Sequence, residues 1–146
     1  MKIGIFAKTF SRPTIEELFQ TIAGYEIYSA QFNLSWAGLE TLPGNVVSSE
    51  LVQRIIGAAE KNNLVLAFEP ETENVVNSAN RARKLLDEIQ NPRLRIVIDP
   101  ANLIDPGRKQ EEILDESFAL LGDAIVIAHA KDRTAAFEAC AAGKGI

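Results

Sequence analysis

The sequence predicts an α/β protein built on a parallel sheet, and three observations carry that prediction. Its strand-like segments are near-continuous runs of Ile, Val, Leu and Ala, as in RIVIDP and IVIAHA, the composition of strands covered on both faces. Amphipathic helical stretches separate these runs, which is the grammar of repeated βα units. Finally, LVLAFEP, RIVIDP and IVIAHA each end in a residue able to bind a metal or move a proton, namely Glu69, Asp99 and His129, at successive intervals of 30 residues. Such an interval accommodates one strand, one crossover helix and their loops. Ligands of parallel α/β folds bind at the carboxyl ends of strands, so the three side chains are expected to converge on one face.

The elements follow in order. Residues 2–8 (KIGIFAK) read as a first strand, and Thr14 opens a helix with Ile15, Leu18, Phe19 and Ile22 on one face and Glu17 placed for a capping box. Gly24 is placed to stop that helix, and YEIYSAQFNL (25–34) carries enough β-formers for a second strand. A loop from Gly38 to Gly44 precedes Ser48 or Ser49, the N-cap of a second helix facing inward through Leu51, Val52, Ile55, Ile56 and Ala59 and ending near Asn62-Asn63. The third strand is 64–69, followed by a helix from about Ser78 with Ala82, Leu85, Leu86 and Ile89 inward, stopped by Asn91-Pro92. Strand 94–99 leads through a loop containing Asp105-Pro106-Gly107 to a helix with Ile113, Leu114, Ser117, Phe118 and Leu121 inward, closed by Gly122. Strand 124–130 completes the series, and the small-residue tail 135–146 favours neither helix nor strand. No linker or charge block divides these units, so residues 1–146 are expected to form a single domain.

Composition narrows the function classes. The 146 residues are 47% hydrophobic and 24% charged, ordinary for a globular domain with a real core. A net charge of −5 opposes nucleic-acid binding, which needs clustered Lys and Arg to displace counterions. Cys140 is the single cysteine, so no intrachain disulfide is possible and nothing points to an oxidising compartment. The opening residues contain no apolar run long enough for a signal or membrane segment, and a cytoplasmic address is the default expectation.

Pro70 and Pro100 directly follow Glu69 and Asp99 and hold each acid in extended geometry at its strand's end. Two carboxylates and an imidazole make a mixed O/N set suited to Mn²⁺, Mg²⁺, Co²⁺ or Zn²⁺ and exclude a soft thiolate site. Taken singly, the acids read as loop entry or helix caps and His129 as a core imidazole; their common register favours the shared site. Asn102, Lys131 and Asp132 lie on the same expected rim as candidates for substrate contact, with turn-shaping and a solvated ion pair as their plainer roles. Trp36 sits in a rim loop where an aromatic can stack on a sugar, although packing is its commoner use. Gly143-Lys144-Gly145 offers backbone N–H groups to a phosphate only weakly, because no helix follows it.

At Glu69, Asp99 and His129, and in the stretches LAFEPETENVV, IVIDPANLI, ILDESFALLGDAIVIAHAKD and AAGKGI, the chain resembles the xylose isomerase-like TIM-barrel family of sugar and sugar-phosphate isomerases and epimerases. The resemblance implies that the three residues bind a divalent metal. It also implies proton transfer beside a carbonyl through an enediolate, with Glu69 as one of two glutamates that exchange the proton. Asn102 stands where many relatives carry His in an Asp-x-x-His pattern. The second glutamate belongs to a later strand than any here, which implies impaired turnover or an inert fragment retaining ligand residues. An eight-stranded barrel takes about 250 residues, so the expected fold is a partial (β/α)8 TIM barrel of about five parallel strands with outer helices. Its uncovered strand edges are expected to permit self-association. A receiver-like open sheet suits the length, but the first strand ends at Lys8 rather than an acidic pair and no glycine-rich phosphate loop follows. The multi-zinc apurinic-site endonucleases of the same family need several histidines, and His129 is the only one here.

Overall fold

A computed structural model describes residues 3–33, 48–105 and 107–145. The loop 38–44 and Trp36 lie outside the described residues. Five strands form one sheet in the order β1 (Gly4–Phe6), β2 (Ser29–Gln31), β3 (Val65–Phe68), β4 (Leu94–Ile98) and β5 (Ile125–Ala128). The pairs β1/β2, β2/β3 and β4/β5 are parallel. The helices are α1 (Ile15–Gly24), α2 (Ser49–Lys61), α3 (Ala79–Ile89), the single turn α4 (Pro100–Leu103) and α5 (Gln110–Leu121). An antiparallel hairpin, β6 (Lys131–Arg133) and β7 (Ala139–Ala141), follows β5. The expected α/β class and the five parallel strands are thus present. Contacts group the chain into two compact units, Met1–Phe68 with Pro92–Leu94, and Glu69–Asn91 with Arg95–Ile146.

In the first unit, the Thr14 hydroxyl accepts from Glu17 N–H and the Ser48 hydroxyl from Leu51 N–H, so both helices start where their caps predicted. The 3.6-residue period then turns Leu18, Phe19 and Ile22 of α1 and Ile55, Ala58 and Ala59 of α2 into one core with Ala30, Leu64 and Leu66. Phe19 meets Phe32 edge to face at 5.4 Å. Across the two helices Arg54 grips Glu16 with both arms of its fork, at 2.6 and 2.8 Å. Val52, expected inward, is exposed.

In the second unit, Ser78 caps α3 through Arg81 N–H, and Ile98, Leu103, Ile113 and Ile125 form an apolar cluster. Phe118 was expected inward but is 50% exposed, and Ser117 is buried because its hydroxyl donates to the Ile113 carbonyl one turn back. Two expected glycine terminators do not act by their left-handed freedom. Gly24 is the last residue of α1 and the turn is made by Glu26 at φ 59°, while Gly122 stays right-handed at φ −53° and passes the chain into a 3-10 turn.

Candidate metal centre

Strand register assembles the site. Ile98 pairs with Ala128, so the next residues, Asp99 and His129, emerge side by side, and the ladder is extended by His129 N–H donating to the Ile98 carbonyl at 2.9 Å. A bulge between Ile96 and Val97 shifts the pairing just before this point, a common device for re-aiming side chains near sites. Asp99 is also the N-cap residue of α4, with Pro100 at the first helical position, so its extended backbone (φ −126°, ψ 96°) is fixed from both sides. Glu69 directly follows β3 and precedes the buried Pro70.

One ligand atom from each of Glu69, Asp99 and His129 lies within 4.8 Å of the others. His129 Nδ1 stands 3.1 Å from Asp99 Oδ2 and 3.6 Å from Glu69 Oε1. Asp99 is fully buried, and its Oδ2 also takes Lys131 Nζ at 3.0 Å. Its Oδ1 is buried with no hydrogen-bond partner. An unsatisfied buried carboxylate oxygen costs about 1–3 kcal/mol or more, and a cation bound there removes that cost. The residues present therefore fit a hard or borderline divalent ion, with two oxygen donors and one nitrogen.

The other expected rim residues are placed as follows. Asn102, buried on α4, donates from Nδ2 to Glu69 Oε1 at 2.6 Å. Asp132 is engaged by the tail. Its carboxylate accepts from the backbone N–H of Arg133, Gly143 and Gly145 at 2.8, 3.2 and 3.0 Å. These donors, led by Arg133 N–H, hold the Asp132 carboxyl below its ordinary range. The Gly143 and Gly145 amides, considered as part of a phosphate cradle, thus serve an internal anion, while the Lys144 N–H donates to the Ala141 carbonyl. Gly145 has no room for a Cβ, which would collide with the Arg133 carbonyl and the Asp132 carboxylate. Sequence reasoning missed Arg133, whose guanidinium reaches the Ala101 and Phe137 carbonyls and Asn102 Oδ1. No motif announces it, because its partners are contacts made by the fold.

The profile of the xylose isomerase-like TIM-barrel family matches residues 45–145, most of the chain. The chain belongs to this family. A search of curated proteins finds no match. Among solved structures, a xylose isomerase domain protein from Planctomyces limnophilus superposes with a TM-score of 0.62 at 18% identity, over 90% of this chain and 49% of that one. A xylose isomerase-like TIM-barrel protein from Mycobacterium smegmatis in complex with magnesium gives 0.56 at 14% identity, over 88% and 48%. A D-allulose 3-epimerase from Methylomonas sp. gives 0.56 at 17%, over 79% and 43%. The fold is accordingly that of a partial TIM barrel, and the chain spans about half the length of these family structures or less. Among the described residues no helix is long and apolar enough to cross a membrane.

Proposed function

We propose that Glu69, Asp99 and His129 hold a divalent cation, Mn²⁺, Mg²⁺, Co²⁺ or Zn²⁺, and that the site performs proton transfer on a sugar or sugar phosphate as an isomerase or epimerase. The observation that carries this reading is the partnerless, fully buried Asp99 Oδ1 beside two further ligand atoms. Magnesium bound to the Mycobacterium smegmatis protein and the epimerase activity of the Methylomonas protein support the choice of ion and reaction class.

A divalent ion bound there supplies Lewis-acid stabilisation of charge on the substrate's oxygens. The rest falls to the chain's own groups. Glu69, oriented by Asn102, takes the proton from the carbon beside the carbonyl, giving an enediolate, and returns it to the neighbouring carbon. Inversion at a single carbon requires a second proton carrier on the opposite face, which the family resemblance assigns to a later strand. Lys131 is 37% exposed at its side chain, and its ammonium can turn from Asp99 towards a substrate oxygen. Asp132 supports the rim by fastening the tail.

A second reading is an inert fragment that keeps the ligand residues, favoured by coverage of only 43–49% of the three structures above. Turnover separates the two. The Mn²⁺-loaded chain is expected to exchange substrate C–H for solvent deuterium on a panel of ketoses and ketose phosphates. Exchange should fall by about 10²-fold or more in Glu69→Gln, the usual scale of a lost general base. Metal bound without exchange on any substrate supports the inert reading.

A further inference from the structure

Glu69 is held by a relay that runs from Arg133 through Asn102. The guanidinium of Arg133 sits on β6 and donates from Nε to the Ala101 carbonyl at 2.6 Å and from one terminal nitrogen to the Phe137 carbonyl at 2.9 Å. Its other terminal nitrogen donates to Asn102 Oδ1 at 3.1 Å, and Asn102 Nδ2 in turn donates to Glu69 Oε1 at 2.6 Å. The backbone of Asn102 is fixed as well, its N–H donating to the Asp99 carbonyl and its carbonyl accepting from Thr72 N–H. Phe137 adopts a left-handed backbone at φ 62°, uncommon for an aromatic residue, in the tight β6–β7 connection whose carbonyl Arg133 grips.

The two ends of this relay differ in kind. A guanidinium has only donors and an ionised carboxylate only acceptors, so a residue joining them must accept on one side and donate on the other. The Asn102 amide satisfies both in one orientation. Turned over, it sets its NH₂ against Arg133 and its oxygen against the Glu69 carboxylate, replacing two charge-assisted hydrogen bonds with two repulsions.

We propose that Arg133 is a positioning residue of this site: its guanidinium fixes the polarity of the Asn102 amide, so that an N–H, and never the oxygen, is presented to Glu69. The assignment rests on the reading of Glu69 as ligand and base. It makes the β6–β7 hairpin part of the site's support. Arg133 acts through Asn102, not on substrate.

The test is a cycle of Arg133→Met, Asn102→Ala and the double variant of the full chain. Mn²⁺ affinity is read by calorimetry, and the Asn102 side-chain NH₂ signal by ¹⁵N NMR of the metal-free protein. Arg133→Met is expected to weaken Mn²⁺ about tenfold, the lower scale for groups that orient ligands. The double variant should bind no worse than Asn102→Ala, because the effects share one path. In Arg133→Met the Asn102 signal should move towards that of solvated amides while the backbone spectrum stays folded. Unchanged Mn²⁺ affinity with an unmoved Asn102 signal overturns the proposal, and so do losses that add in the double variant. Should Arg133→Met not fold, Arg133→Lys decides by the same readouts, since it keeps the charge without the fork: a displaced signal supports the assignment and an unmoved one overturns it. A wild-type chain that binds no Mn²⁺ defeats the metal reading, and the NMR signal then still decides the role of Arg133.

Discussion

Asp99 sets the energetics of the site. Its buried Oδ2 is shared by His129 Nδ1 and Lys131 Nζ, while Oδ1 has no partner. The lysine ammonium is thus the cation that makes a buried carboxylate tolerable in the metal-free chain. A divalent ion and Lys131 repel one another across the same acid. Lys131→Ala should therefore destabilise the metal-free protein by about 1–3 kcal/mol, and Mn²⁺ should raise its melting temperature by more than it raises that of the wild type. Thermal denaturation with and without Mn²⁺ measures both. Equal Mn²⁺ shifts in the two proteins would show that Lys131 and the ion do not compete. At this scale the three candidate ligands were legible because each closes a strand at one repeat interval. Arg133 was not, because its contacts to Ala101 and Asn102 span 32 and 31 residues and leave no local signature.

Among the elements, the capped helix starts were readable, and the helix ends were readable in position, α2 stopping at Asn62-Asn63 and α5 at Gly122, but not always in the residue that makes the turn. Thr14, Ser48 and Ser78 cap the helices they precede because the cap is a contact over three residues. The ends depend on what the next strand requires, and Glu26, Asn63 and Gln90 take the left-handed turns without glycine. The turn α4 carried a readable signal, Pro100 after a capping-type Asp, the same pair that also ends a strand. The hairpin β6–β7 was illegible because its small residues show no period and its clamp joins Asp132 to amides 11 and 13 residues away. One element-level contact has a defined pH window. The Arg54 guanidinium lowers the Glu16 pKa from 4.5 to about 2. A carboxyl whose folded pKa is depressed contributes stability above its unfolded value and loses that contribution as pH falls towards the folded one. Both side chains are about half exposed, so solvent screening leaves the pair only a small contribution. Arg54→Met should lower the urea midpoint slightly at pH 7, and the difference from wild type should shrink between pH 4.5 and 2. A difference independent of pH would assign the loss to packing of the arginine stem.

For the whole molecule, the division into two compact units gives metal binding a regional signature. Glu69, Asp99 and His129 all belong to the unit made of Glu69–Asn91 and Arg95–Ile146. Ligand binding stabilises the conformations that bind it, so local openings in that unit should become rarer. Hydrogen exchange with Mn²⁺ should slow at β4, α4 and β5 and change little across α1 and α2. Uniform slowing would instead show that the chain opens as a whole. Membership of the xylose isomerase-like family and the partial barrel account for why three successive strand ends bring the candidate ligands together. The most direct measurement is anomalous X-ray scattering from crystals of the 146-residue chain grown with Mn²⁺. The account predicts a peak about 2.0–2.2 Å from a carboxylate oxygen of Glu69, a carboxylate oxygen of Asp99 and a ring nitrogen of His129. No peak among these three atoms, or Mn²⁺ bound elsewhere while they keep their metal-free contacts, would contradict it.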